Sequence, residues 1–261
     1  MEPGSHVDLD LIDPRSTPEA PGDKHATRAA SKVLLEKLSD LQVRLRAESK
    51  RSLLIVLQAM DGGGKDGTIR NVFRGVDPQG VHVKSFRRPS EEELGHDFLW
   101  RIHRALPPVG EIGIFNRSHY EDVVTVRVRE LVAPAVWRSR FPSIVDFERH
   151  LDRSATKVVK LFLHISNQEQ AERLAKRLHR PDKRWKFDPS DLEDRKKWSD
   201  FETAYQEAIE GTSTLEAPWR IIPADRKWYR DWAVLTVLTT VLEELDPRYP
   251  EPDHEVERFV P

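Results

Sequence analysis

Short apolar runs alternate with longer amphipathic segments along this chain. Leu53–Leu57 contains only aliphatic side chains, which predicts a strand buried on both faces. Four further strands are predicted at 81–86, 111–115, 158–165 and 220–223. The first amphipathic segment, 26–48, carries leucines at helical spacing and predicts a helix. Strands that alternate with helices are typical of an α/β fold, so we predict a five-stranded, mostly parallel sheet in a three-layer α/β/α arrangement.

Two pairs of residues have the spacing of a helix-capping box, Ser90 with Glu93 and Ser166 with Glu169. The first pair predicts a helix that continues through His103, and the second opens a helix after the fourth strand. Further helical segments are predicted at 123–153, with breaks near Pro134 and Pro142, at about 191–209 and at 227–245.

A glycine-rich loop follows the first strand. Asp61-Gly62-Gly63-Gly64 ends the strand, Lys65 comes next, and residues 66–73 predict the start of a helix. Glycines let backbone N–H groups approach phosphate oxygens, a helix N-terminus attracts anions, and the lysine adds a positive charge. The order of strand, loop, lysine and helix therefore predicts phosphate binding. The alternative is an ordinary strand-to-helix turn in which glycine supplies a positive φ.

This loop departs from the pattern G-x-x-x-x-G-K-[ST] at two positions. Ala59 stands in place of the first glycine, and Asp66 stands in place of the Ser/Thr that binds metal. A carboxylate at Asp66 suits Mg²⁺, which often takes one or two carboxylates together with phosphates. Asp61 would repel a bound phosphate unless a metal ion or a proton lies between them. Asp61 and Asp66 are therefore candidate metal ligands.

Polar side chains follow the second and third strands. Arg87 and Arg88 suit bidentate phosphate contacts, although a surface pair before a proline is an equal alternative. Asn116–Asp122 is a dense polar cluster at the end of the third strand, where ligands bind in open α/β sheets. Within it, Arg117 is a candidate phosphate ligand, and Glu121 could bind metal, contact a nucleotide or cap a helix.

Two other polar residues near strand ends have less specific roles. His119 could act as an acid or base, but phosphoryl transfer depends mainly on positioning and charge stabilisation. We therefore expect His119 to be structural or an anion contact. Asp225 follows the fifth strand, where it could contact a nucleotide or the polyphosphate chain, but we favour a role as the N-cap of the next helix.

A strongly basic stretch lies between the last two predicted helical segments before the fifth strand. Residues 173–187 contain seven basic side chains and one acidic side chain, Asp182. Such a stretch could form a mobile lid that closes over a polyanion and excludes water. The alternative is a solvated helix face. Trp185 and Phe187 in the same loop could stack on a base or anchor the loop.

Composition narrows the class of protein. The 261 residues carry a net charge of −2, so total charge predicts no nucleic-acid or membrane partner. The chain has no cysteine, which excludes disulfides, thiol catalysis and cysteine-based metal sites and fits a cytoplasmic protein. The first 23 residues lack the basic and apolar regions of a secretory signal, and no apolar run reaches the length of a bilayer span.

Several segments, taken together and in this order, resemble the polyphosphate kinase 2 family. They are LLIVLQAMDGGGKDGTIRNVF, FLWRIHRALPPVGEIGIFNRSHYEDVVTVRV, KLFLHISNQEQAERLAKRL, RPDKRWKFDPSDLEDRKKW and TSTLEAPWRIIPADRKW, and they cover roughly residues 30–230. The resemblance implies a P-loop kinase core with a helical basic lid. It also implies Mg²⁺-dependent transfer of phosphate between inorganic polyphosphate and a nucleotide, with Mn²⁺ as an alternative metal.

The resemblance also implies residue roles. Asp61, Lys65 and Arg117 would be catalytic, and Asp61 and Asp66 would bind the metal. The residue patterns above and the resemblance together predict nucleotide or polyphosphate binding by Gly62, Gly63, Gly64, Asp66, Gly67, Thr68, Arg87, Arg88, Asn116, His119, Glu121, Arg173, Arg177 and Lys183. The segment Asn-Arg-Ser-His-Tyr-Glu differs from the Asp-Arg-Ser-x-Tyr-Asn of members that mainly use nucleoside diphosphates. It matches the subgroup that phosphorylates both AMP and ADP.

We therefore predict a kinase that makes ADP and ATP from AMP and ADP, reversibly. The expected organisation is an extended N-terminal arm over 1–25, one kinase-like domain over 26–250 with a lid at about 173–195, and a C-terminal tail over 251–261. The resemblance suggests a homodimer or homotetramer. Two alternatives stay open, a conventional ATP-dependent nucleoside monophosphate kinase and a non-catalytic polyanion-binding protein.

Overall fold

A computed structural model describes residues 1–252 and contains a five-stranded sheet whose neighbouring strands are all parallel. The strands are β1 (Ser52–Gln58), β2 (Val81–Ser85), β3 (Ile112–Asn116), β4 (Thr156–His164) and β5 (Trp219–Pro223). Their order across the sheet is β2-β3-β1-β4-β5. Every residue of the central strand β1 is buried, as its continuous apolar sequence predicts. The predicted parallel α/β fold is confirmed.

Ten α-helices lie within the described residues. They are α1 (Lys24–Glu48), α2 (Lys65–Val72), α3 (Glu91–Leu94), α4 (Trp100–His103), α5 (Thr125–Val128), α6 (Pro134–Arg153), α7 (Asn167–His179), α8 (Ser190–Lys196), α9 (Trp198–Thr212) and α10 (Lys227–Leu245). Helix α10 contacts α1, α2, β4 and β5, whereas α6 contacts α9 and β4. The two groups of helices cover the sheet as its outer layers. Across residues 1–252, each helix is too short or too polar to cross a lipid bilayer.

The helix predicted from Ser90 to His103 is wrong in its length. The capping box is present, since Ser90 Oγ accepts from the Glu93 backbone N–H at 3.2 Å and Glu93 Oε2 accepts from the Ser90 N–H at 2.9 Å. Helix α3 nevertheless stops at Leu94, with Gly95 at its C-cap. A separate helix, α4, begins at Trp100. The capping box starts α3, but none of the residues of α3 is buried, so no packing contact stabilises a longer helix.

Two further helix predictions differ from the structure, the break at Pro142 and the single helix at 191–209. Pro134 lies at the first position of α6, where its fixed φ is tolerated, but Pro142 lies inside the helix and does not break it. Burial of Ile144, Phe147 and Leu151 on one face of α6 stabilises the helix across this proline. The helix predicted at 191–209 is instead two helices, α8 and α9.

Asp225 does not cap its own helix, contrary to prediction. Its two carboxylate oxygens accept from the backbone N–H and the Oγ of Ser166, at 2.8 and 2.7 Å. Asp225 therefore takes the place that Glu169 was predicted to fill at the start of α7, while Glu169 pairs with Arg173. A carboxylate from a neighbouring strand end satisfies the same backbone donor as a capping box.

The N-terminal segment packs along the β5 edge of the sheet. Its first amino group donates to the Trp219 carbonyl at 2.7 Å, and Val7 and Leu9 are buried in the core. Further along, the Ile12 carbonyl lies 3.0 Å from His164 Nε2. Most of the C-terminal tail predicted at 251–261 lies outside the described residues.

Candidate active site

The glycine loop between β1 and α2 has a backbone conformation that residues with side chains rarely adopt. Gly62 and Gly64 have φ values of +78° and +97°, in the region that favours glycine. A Cβ at Gly63 would lie 2.4 Å from Ala59 Cβ. Gly64 is the N-cap of α2, and Thr68 Oγ1 donates back to its carbonyl at 3.2 Å. The loop therefore presents the N-terminus of α2 at the carboxyl end of the central strand.

Lys65 lies at this helix start with 9% of its surface exposed, and its ammonium donates to the Ala59 carbonyl at 2.9 Å. Burial and the charge of Arg117 lower the pKa of Lys65 to about 8, although Asp61, Glu121 and Asp66 oppose this shift. A bound phosphate would add negative charge and favour the charged ammonium. Lys65 is thus placed to hold phosphate.

Asp61 forms an ion pair with Arg117, whose Nη2 donates to Asp61 Oδ1 at 2.6 Å. Burial opposes ionisation of Asp61, but the charges of Arg117, Lys65, Arg177 and Arg129 outweigh it and lower the pKa of this carboxyl. Asp61 is therefore an anion inside a cationic site. This explains how a carboxylate is tolerated in a phosphate-binding loop.

Arg117 follows β3 directly and has a φ of +62°, which is uncommon for a residue with a side chain. Its Nη1 lies 3.5 Å from Glu121 Oε2, and this carboxylate raises the pKa of Arg117. Beside it, Asn116 Nδ2 donates to Asp66 Oδ1 at 2.9 Å. Six predicted site residues therefore meet where β1 and β3 end: Asp61, Lys65, Asp66, Asn116, Arg117 and Glu121.

His119 does not reach this site, which corrects its prediction as a nucleotide or polyphosphate contact. Its side chain is fully buried, and its Nε2 lies 3.3 Å from Glu148 Oε1. The same carboxyl group accepts from Tyr120 Oη at 2.9 Å and from Lys160 Nζ at 2.6 Å. The 3-10 turn after Ser118 directs His119 and Tyr120 into the core, so His119 has a structural role.

The predicted basic residues of the lid lie in different environments. Arg173 is buried in α7 and donates to the Gly62 carbonyl at 3.0 Å, so it lies against the glycine loop and not on an exposed lid surface. Arg177 pairs with Asp191 at 3.0 Å, and Lys183 precedes a 3-10 turn. Arg87 and Arg88 are exposed beyond β2, and within residues 1–252 their side chains have no hydrogen-bond or ion-pair partner.

Sequence reasoning missed Arg129, Gln170 and Asp194, which lie beside Asp61 and Arg117. Arg129 Nε donates to Asp194 Oδ1 at 2.9 Å, and the charge of Arg129 helps to lower the pKa of Asp61. Gln170 Nε2 donates to the Asp61 carbonyl at 2.8 Å. Asp194 and Gln170 line a narrow cleft of about 20 Å³ together with Asp61 and Arg117. The charges of Arg129 and Asp194 are visible in the sequence, but only the fold brings them beside the loop.

The donor set suits a metal that arrives with phosphate. Throughout residues 1–252, no group of three His, Cys, Asp or Glu side chains is arranged to hold a metal ion. Asp61 and Asp66 nevertheless flank the glycine–lysine segment of the phosphate loop. Mg²⁺ is commonly bound by one or two carboxylates plus phosphate oxygens and water. The residues present therefore fit Mg²⁺ bound together with phosphate.

A parallel sheet of this strand order, with a glycine–lysine phosphate loop after its central strand, defines a P-loop kinase-like α/β protein. The family model described as Polyphosphate kinase 2 matches residues 22–251. The chain belongs to this family and is a phosphotransferase.

Relatives cover nearly the whole chain. The chain is 50% identical over 260 residues to an AMP/ADP-polyphosphate phosphotransferase of Meiothermus ruber. The match covers 100% of this chain and 97% of the relative. It is 44% identical over 229 residues to an ADP-polyphosphate phosphotransferase of Rhodopseudomonas palustris, covering 83% of this chain and 79% of the relative. A crystal structure of polyphosphate kinase 2 from Arthrobacter aurescens TC1 superposes with a TM-score of 0.94 at 41% identity. That match covers 98% of this chain and 92% of the other.

Proposed function

We propose that this chain transfers phosphate from inorganic polyphosphate to AMP and to ADP, reversibly, with Mg²⁺ as cofactor. The observation that carries the proposal is the ion pair between Asp61 and Arg117 at the glycine loop, within the influence of the charge of Lys65. The similarity over the full chain to a relative named for both AMP and ADP supports the pair of acceptors.

In this mechanism an oxygen of the nucleotide's terminal phosphate attacks the end phosphorus of the polymer. A new P–O bond forms, and the bond from that phosphorus to the next bridging oxygen breaks, which leaves the polymer one unit shorter. Lys65 and Arg117 neutralise the phosphoryl oxygens and hold the reacting phosphates in place. Asp61 and Asp66 would hold Mg²⁺, which when bound supplies further neutralisation of phosphate charge.

The test is phosphate transfer by purified protein with Mg²⁺ and long-chain polyphosphate, with AMP and ADP offered separately and products separated by chromatography. ADP and ATP formed from AMP, and ATP formed from ADP, would support the proposal. ATP from ADP alone would remove AMP as an acceptor. Transfer that requires ATP as donor would favour a conventional monophosphate kinase, and retention on polyphosphate without turnover would favour a binding protein.

The proposal extends to location and assembly. We propose a cytoplasmic location, because a chain without cysteine fits a reducing compartment. We propose a homodimer or homotetramer, which light scattering of the purified protein would test. A monomer at micromolar concentration would contradict this part alone.

A further inference from the structure

A buried arginine of α10 lies directly against the phosphate loop. Arg230 is 1% exposed, although the sequence motifs of the site do not include it. A Cβ placed on Gly64 would lie 2.3 Å from Arg230 Nη1, and one on Gly67 would lie 3.6 Å from Nη2. The guanidinium therefore occupies the space that a side chain at Gly64 would need.

The rest of this guanidinium is fixed by one carboxylate. Arg230 Nε and Nη2 both donate to Asp231 Oδ1, at 2.9 and 2.5 Å. Asp231 Oδ2 in turn accepts from Asn71 Nδ2 of α2 at 2.7 Å. Within residues 1–252, Arg230 Nη1 has no hydrogen-bond partner of its own, so it contacts Gly64 by packing.

A second buried guanidinium lies close to the first. Arg173 Nη1 donates to the Gly62 carbonyl at 3.0 Å and lies 3.2 Å from the position of a Cβ on Gly64. Arg173 pairs with Glu169, as Arg230 pairs with Asp231. Burying two charged groups beside one loop is costly unless each is paired, which both are. Two buried, paired arginines at this place indicate that the glycine loop needs charged side chains beside it. Apolar side chains would be enough if the contact only packed one helix against another.

We propose that Arg230 is a positioning residue for phosphate transfer, holding Gly64 in its left-handed conformation so that the loop amides and Lys65 face the phosphate. Packing of a rigid, planar group against Gly64 restricts this turn before substrate binds. The effect on turnover rests on the proposed function, but the effect on the loop does not. The competing explanation is that Arg230 and Asp231 only tie α10 to α2.

The test compares Arg230→Lys with two controls. The lysine keeps the charge but loses the planar contact with Gly64. Asn71→Ala breaks the tie between α2 and Asp231 and leaves Arg230 in place. Arg51→Lys alters a different arginine, which pairs with Glu48 and also donates to the Leu245 carbonyl at the far end of α10.

Two readouts separate the explanations. We expect Arg230→Lys to lower kcat by about a hundredfold, as misplacement of a reacting group by about 1 Å does, with a much smaller change in Tm. We also expect faster hydrogen exchange of the amides of residues 61–65 in the substrate-free protein. Both controls should keep wild-type exchange there and a kcat within a few-fold of wild type.

Other outcomes overturn the inference. Unchanged exchange at residues 61–65 in Arg230→Lys would show that this side chain does not order the loop. An equal loss of kcat in Asn71→Ala would assign the effect to the helix tie. If the wild type itself shows no transfer from polyphosphate, the proposed function fails, while the exchange comparison still decides the role of Arg230.

Discussion

Arg117 Nη2 and Asp61 Oδ1 lie 2.6 Å apart, although 56 positions separate the two residues in sequence. Each follows a strand, Asp61 after β1 and Arg117 after β3, and these strands are neighbours in the sheet. The positive φ of Arg117 belongs to the backbone turn from which its side chain reaches the loop. The pair brings opposite charges together at the point where phosphate is expected to bind, so substrate must be accommodated beside it or replace it.

Asp61→Asn should lower kcat by orders of magnitude, because it removes one of the two carboxylates that would hold Mg²⁺ at the phosphates. The amide keeps the size of the carboxylate, and Arg117 retains Glu121 as an acidic partner, so the fold should stay intact. Steady-state kinetics with polyphosphate and ADP would measure the change. Asp182→Asn, in the exposed loop after α7, is the matched control. Near-normal turnover of Asp61→Asn would remove this residue from the mechanism.

The pH dependence of activity should report on Lys65. Burial, then Arg117, lowers its pKa from 10.5 to about 8. Between about pH 8 and pH 10.5, Lys65 is mostly protonated in the unfolded chain and mostly neutral in the folded one. Lys65 therefore makes the free energy of unfolding rise with pH in this range. Activity should instead fall with pH, because a neutral amine holds phosphate poorly. We expect kcat/KM for polyphosphate to fall as pH rises through about 8.

Lys65→Arg provides the control for this profile, since a guanidinium stays charged throughout the range. The arginine variant should be less active overall but should lack the fall above pH 8. The same alkaline fall in both proteins would assign it to another group.

Two carboxylates of α8 hold arginines of the site in the substrate-free chain. Asp194 pairs with Arg129 and Asp191 pairs with Arg177. A polyanion must compete with these carboxylates for the same guanidinium groups. The double variant Asp191→Asn/Asp194→Asn should therefore lower KM for polyphosphate several-fold, most clearly at low ionic strength. Glu193→Gln, on the same helix but exposed, is the control, and an unchanged or higher KM in the double variant would contradict this competition.

The sequence was sufficient for the parts of the fold that depend on local pattern. The aliphatic run of β1 and the glycines after it predict the strand, the loop and the start of α2, because burial and positive φ limit which residues can occupy those positions. Asn116 and Arg117 were also predicted at the site, since the ends of parallel strands share one edge of the sheet.

The remaining features depend on distant contacts that local pattern does not encode. His119 lies in a polar segment, yet it is buried because Glu148 of α6 offers a partner inside the core. Arg129 lies at the C-cap of α5 and Arg230 lies in α10, and the orientation of these helices decides which charges meet. For the same reason, Asp225 could not be assigned to Ser166 before the order of the strands was known.

Lys160 gives a final prediction, on stability. This residue of β4 is fully buried, and its ammonium donates to Glu148 Oε2 at 2.6 Å and to the Thr212 carbonyl at 2.7 Å. Lys160→Met should lower the free energy of unfolding by about 3–5 kcal/mol, because Glu148 would keep a buried charge without its partner. Lys160→Met/Glu148→Gln should be less destabilised than the single variant, since no lone carboxylate remains. Urea unfolding of Lys160→Met, Glu148→Gln and the double variant would measure the differences, and a double variant that loses the sum of the two single losses would show that the pair is not coupled.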